Sequence, residues 1–101
     1  MRLRWSTRAA GQLFEAAAFL EHRAGAGEAL YDAVDRLVGL IRDQPRAFPA
    51  EPYAEKAEIR RALLPRFGYW LIYRVQGDDV EVLVLSFWST HRRPEGWPRS
   101  R

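Results

Sequence analysis

What constrains this chain most is a change of hydrophobic period partway along it. After a short opening run, apolar residues recur at helical spacing up to Pro45, and from Glu58 onward they alternate with polar ones. A 3.6-residue pattern cannot keep its apolar set on one side of a strand, and a two-residue pattern cannot do so on a helix. A helical first half followed by a sheet-forming second half is the consequence.

The opening run, Arg2–Trp5, alternates and is expected to be a strand, with Ser6 or Thr7 available to cap the next element. A first helix is expected from about Arg8 to Arg23, with Ala10, Leu13, Phe14, Ala17 and Leu20 at helical spacing and Gly25 and Gly27 as its stop. The second carries one stripe, Leu30, Ala33, Val34, Leu37, Val38 and Ile41, and ends at Pro45. A Gly-Ala-Gly break between two such helices implies an antiparallel hairpin. Residues 44–57 hold three prolines and no sustained period, so they read as a crossing loop.

In the second half, Glu58–Leu64 puts Ile59, Arg61 and Leu63 on one face and Arg60, Ala62 and Leu64 on the other. Tyr69–Val75 separates Tyr69, Leu71, Tyr73 and Val75 from Trp70, Ile72 and Arg74. Gln76-Gly77-Asp78-Asp79 is a hairpin signal, and Val80–Trp88 is apolar on both sides after Glu81, as a central strand is. Residues 89–101 form a polar tail without a helix or strand pattern. The order β-α-α-β-β-β predicts an α+β fold in which a helical hairpin packs on one face of a mainly antiparallel sheet. With 101 residues, positions 1–101 make a single domain.

Several chemistries are excluded at this level. There is no cysteine, hence no disulfide framework or thiol nucleophile, and a reducing compartment, the cytoplasm, is expected. No apolar run approaches the ~20 residues that span a bilayer, and the N-terminus lacks a secretory apolar stretch, so no membrane partner is expected. His22 and His91 are the only histidines, with no HExxH, no clustered carboxylates and no glycine-rich phosphate loop. No metal and no cofactor are therefore expected. His22, on the charged edge of the first helix, is assigned to solvent.

Charge is unevenly spread. Residues 1–57 carry eight basic and eight acidic groups, whereas residues 58–101 carry eight arginines against five acids and hold the whole net charge of +3. Fifteen of the sixteen basic residues are arginine. Arginine suits bidentate contact with phosphate or carboxylate, although a GC-rich genome produces the same bias. The basic group comprises Arg60, Arg61, Arg66, Arg74, Arg92 and Arg93, joined by His91.

Taken with the two-helix start, Phe48-Pro49, EIRRALL, GYWLIYRVQGDDVEVLVL and the tail HRRPEGW, the chain resembles the RelE/ParE superfamily, the toxins of type II toxin–antitoxin systems. The resemblance covers almost the whole chain and implies a growth-inhibiting toxin, of use in plasmid stabilisation, held by a cognate antitoxin in a hetero-oligomer. Two modes of action are open. Ribosome-dependent mRNA cleavage needs a base, cations and an acid; His91 would serve as acid or base and Arg74, Arg92 or Arg93 as the cation, with ribosome and mRNA as partners. This chain departs from that pattern: Trp70 stands where RNase members commonly have arginine, Trp97 where they have tyrosine, and the strand Glu58–Leu64 lacks their lysines. Indole offers one N–H donor and no acid or base.

The resemblance is therefore closer to the ParE-like branch, which implies inhibition of DNA gyrase by binding, without a catalytic constellation. On that reading the partner-binding residues are Arg60, Arg61, Arg74, Trp88, His91, Arg92, Arg93 and Trp97, since aromatics flanked by arginine are typical interface hot spots. Packing of the tail against the sheet is the plainer role for Trp88 and Trp97. The helical stripe Leu13, Phe14, Leu30, Leu37 and Ile41 would receive an amphipathic antitoxin helix unless the sheet consumes it.

Overall fold

The computed structural model describes residues 2–51, 58–77 and 81–91. The elements run β1 (Arg2–Trp5), α1 (Thr7–Ala24), α2 (Gly27–Asp43), β2 (Ile59–Leu64), β3 (Tyr69–Gln76) and β4 (Glu81–Ser89). The expected α+β order is thus the observed one. The sheet order is β1-β4-β3-β2, antiparallel except where β1 runs parallel to β4. No helix among the described residues is long and apolar enough to cross a membrane.

Local chemistry sets the helix ends. Of the two possible caps it is Ser6 that acts, its hydroxyl accepting from Ala9 N at 3.0 Å. At the other end Gly25 takes φ 63°, and the N–H groups of Gly25 and Ala26 close back on Glu21 O and Leu20 O. Gly27 does not belong to that stop. It is the buried first residue of α2, and its N–H donates to Glu21 Oε1 at 3.1 Å, so α1 supplies the cap that Ala26 cannot.

The hairpin lies on one face of the sheet. Ala9, Leu13, Ala16 and Ala17 of α1 and Leu30, Val34, Leu37 and Ile41 of α2 are buried there against Ala62, Leu64, Leu71, Tyr73, Val75, Val82, Val84 and Phe87. Each fully buried aliphatic side chain contributes about 1.5–3 kcal/mol. The stripe left open for an outside helix is therefore consumed by the sheet, with one exception: Phe14 is 68 % exposed. The buried face of α1 is centred on 9, 13, 16 and 17, and small alanines mark it too weakly for Phe14 to be set aside by sequence.

The loop after α2 is tied down on the same side. Tyr73 donates its hydroxyl to Pro45 O at 2.6 Å, and burial pushes its pKa up to about 12. The Phe48 ring meets Tyr73 edge-on at 6.4 Å. Pairing continues onto the loop, since Arg61 N donates to Pro49 O and Glu51 N to Ile59 O, which shields part of the β2 edge. Glu58 enters β2 with φ 73°, a left-handed conformation costly for a side-chain-bearing residue. It is held by Val75 N, which donates to its carbonyl, and by Arg46, whose fork reaches its carboxylate at 3.0 and 2.7 Å.

Two carboxylates at the sheet margins are shifted by such pairs. The hydrogen bond from Arg46 holds Glu58 below the usual carboxylate range, and that from Arg4 does the same for Glu81. A depressed folded-state pKa gives stability that is present above the unfolded value near 4.5 and is lost as pH falls through the folded one. Urea midpoints of the wild type are therefore expected to fall more steeply between about pH 6 and pH 3 than those of Glu58→Gln/Glu81→Gln. Parallel pH profiles for the two proteins would remove these pairs from the acid response.

Candidate functional site

The sheet has a second face. Strand pairing places Ile59, Arg61 and Leu63 of β2, Trp70, Ile72 and Arg74 of β3, and Leu83, Leu85 and Trp88 of β4 opposite the helices. Among the described residues no helix packs there. Ile59 and Ile72 are nonetheless buried, because Trp70, Leu85 and Trp88 close over them. Trp70 and Trp88 are register partners, and Leu63, 42 % exposed, stands opposite Trp70 on the other side.

Arg61 completes this surface. Its guanidinium lies 4.2 Å from the Trp70 ring centroid and its Nη1 is 4.0 Å from Glu51 Oε1, a carboxylate whose side chain is fully buried. An arginine over an indole is worth about 0.5–2 kcal/mol, most when desolvated. The result is an apolar, aromatic floor edged by positive charge.

The sequence-predicted residues divide sharply. Arg61, Arg74 and Trp88 share the open face. Arg60 does not: it lies on the helix side with Ala62 and Leu64, where its Nη1 donates to Phe48 O at 2.8 Å and its Nη2 is 3.7 Å from Glu58. It is a clip between the loop and β2. His91 is exposed just past β4, its N–H donating to Ser89 Oγ at 3.2 Å. Ser89 pairs with Tyr69, and Arg74 lies five residues further along β3, about 17 Å at strand rise. His91 and Arg74 thus sit at opposite ends of the sheet and do not converge on one phosphate. Arg92, Arg93 and Trp97 lie outside the described residues, as do Asp78 and Asp79 of the expected turn. Arg66, in the β2–β3 turn, rests on Phe67 at 5.2 Å.

A residue that sequence reasoning passed over organises the β4 end of the site. Register shifts between Ile72 and Tyr73, because β4 carries one residue more, Leu85, between Val84 and Ser86. Such a bulge leaves backbone groups without a ladder partner. Here α1 and its cap supply them: Gln12 Oε1 accepts from Phe87 N at 2.8 Å and from Ser86 Oγ at 3.0 Å, and Ser6 Oγ donates to Leu85 O at 3.2 Å. The available signal was one polar residue, Gln12, between Ala9 and Ala16 on the apolar side of α1. Beside it a groove of about 410 Å³ opens, lined in part by Gln12, Glu15, Phe19, Tyr69, Phe87 and Ser89.

Among the described residues no group of three or more histidine, cysteine, aspartate or glutamate side chains is arranged to hold a metal ion. Among solved structures the fold is similar to that of the chromosomal ParDE toxin–antitoxin system from P. aeruginosa, with 22 % identity, TM-score 0.64 and coverage of 90 % of this chain and 97 % of that one. It is also similar to the isolated E. coli RelE toxin, with 20 % identity, TM-score 0.63 and coverage of 94 % and 89 %. A further similarity is to the E. coli RelBE toxin–antitoxin complex, with 20 % identity, TM-score 0.55 and coverage of 90 % and 98 %. No curated protein sequence matches. The family described as the ParE toxin of the type II toxin–antitoxin system parDE matches residues 3–94, from β1 to beyond the end of β4. By that match the chain belongs to the ParE toxin family of type II toxin–antitoxin systems, on a fold shared with RelE.

Proposed function

We propose that this toxin acts by binding DNA gyrase through the open face of its sheet, without catalysis, and that a cognate antitoxin neutralises it in the cytoplasm. One observation carries the reading. The face sets Arg61 and Arg74 beside two indoles over an apolar floor, and of the carboxylates near it among the described residues Glu51 is sealed from solvent and Glu81 is held by Arg4 at 2.8 Å. Tyr69 and Tyr73 belong to the helix side, and His91 stands at the far end from Arg74. Cleavage by proton transfer needs an acid or base within hydrogen-bond reach of the reacting group; binding needs a desolvated aromatic centre and a charged rim. The neighbouring structures include toxin–antitoxin pairs, ParDE and RelBE, which supports an antitoxin partner.

The test is supercoiling by purified gyrase. Wild-type toxin is expected to inhibit it, and Arg61→Gln/Arg74→Gln to need about tenfold more protein for the same inhibition, roughly 1.4 kcal/mol. Full supercoiling activity at toxin levels that arrest growth would reject the proposal. The rival, a ribosome-dependent endoribonuclease, draws on the equal likeness to RelE. It predicts cleavage sites on translated mRNA by primer extension in induced cells, lost in His91→Ala.

A further inference from the structure

The groove between α1 and the ends of β3 and β4 meets the arginine-lined face at Trp88 but opens on the helix side, and it has the opposite chemistry. Tyr69 and Phe87 stack at 4.7 Å with a 12° tilt and form one wall, and Phe19, 54 % exposed, forms the lip. Gln12 is held by the two donors on its Oε1. Its amide orientation is thereby set, and its Nε2, which donates to no described residue, is left to serve the groove. Glu15, three residues on and therefore on the same side of α1, lines the groove with a carboxylate that has no partner among the described residues. The volume lies within the ~300–1,000 Å³ typical of small-ligand sites.

A ligand for this site must bring a cation to Glu15, a flat or apolar surface to the aromatic wall and an acceptor to Gln12 Nε2. Arginine within a peptide brings all three: guanidinium, planar stacking body and backbone carbonyl. Lysine lacks the flat body. The lip already accepts such a group, since Arg23 lies 5.3 Å from the Phe19 ring centroid. We infer that this groove is a docking site for an arginine presented by a peptide segment of another protein. The assignment does not depend on whether gyrase or the ribosome is the target. It gives the toxin two recognition surfaces, a cationic one on the open sheet face and an anionic, aromatic one at the sheet end.

The full-length protein is to be titrated with N-acetyl-arginine N-methylamide and with its neutral isostere, the citrulline amide, while the Gln12 side-chain amide is followed by NMR. The arginine probe is expected to shift that signal and to bind at least about tenfold more tightly than citrulline, because the charge-assisted contact is made by one of them alone. Glu15→Gln, a substitution at an exposed site, is expected to abolish the difference while backbone signals elsewhere stay unchanged. Equal binding of the two probes, or shifts confined to residues away from the groove, would overturn the inference. So would a groove response seen solely after Arg92, Arg93, Arg99 and Arg101 are replaced by glutamine, which would give the groove to this chain's own C-terminal segment.

Discussion

Gly27→Ala is expected to lower the unfolding free energy by about 2–4 kcal/mol, from the ~1–3 kcal/mol usual for overpacking together with about 1 kcal/mol for a lost helix cap. A Cβ at this position would meet Ala17 O at 2.9 Å, Glu21 Cβ at 3.1 Å and Glu21 Oε1 at 3.2 Å. The first of these is backbone, fixed by the hydrogen bonds of α1, so α2 must move as a body and the Glu21 cap on Gly27 N goes with it. For a domain of this size each kcal/mol displaces the melting midpoint by roughly 4–8 °C. Gly11→Ala and Gly39→Ala serve as controls. Both positions are exposed and helical with open space at the Cβ, so each is expected to gain about 0.5–1 kcal/mol. A Gly27→Ala protein that melts with the wild type would mean that the two helices are not in backbone contact there.

The second large effect belongs to Gln12. Replacing it by alanine removes the acceptor for Phe87 N and for Ser86 Oγ, and Ser86 is fully buried. A buried donor left without a partner costs about 1–3 kcal/mol, so Gln12→Ala is expected to lose about 2–4 kcal/mol in urea unfolding. Gln12→Glu keeps an oxygen in the same place and is expected to recover most of that. Ser86→Ala removes one of the two donors together with its need for a partner, so its loss should stay under about 1.5 kcal/mol. If alanine and glutamate at position 12 prove equally damaging, packing and not acceptance is what Gln12 contributes.

These two positions also mark where sequence reading stopped. Element types and order were legible because the periods are clean: Val34, Leu37 and Ile41 on one helical face, Leu71, Tyr73 and Val75 on one strand face. The crossing of helices at Gly27 was misread as a stop, because a glycine after a helix has the same local signature whether it ends one helix or lets the next approach. The bulge in β4 was invisible, since Leu85 is as apolar as its neighbours and an extra residue shows itself through pairing alone. Of the proposed partner surface, Arg61, Arg74 and Trp88 were found together. Arg60 was separated from them by the alternation the sequence already displayed, which had put it with Ala62 and Leu64. His91 and Arg74 were grouped by composition, and distance along a strand divides them.

The sheet order carries a consequence for how the protein comes into being. β1 pairs with β4 alone, and Ser6 reaches Leu85 across 79 residues of sequence. A chain still being made has no seat for β1 until β4 has left the ribosome. Until then the helices lack Val82, Val84 and Phe87 to pack on, and the paired indoles lack Trp88. Domains acquire function when they fold as units during or after synthesis, so in this toxin the interval between making β1 and arming the molecule lasts at least until β4 has been made. An antitoxin made alongside has that interval in which to be ready.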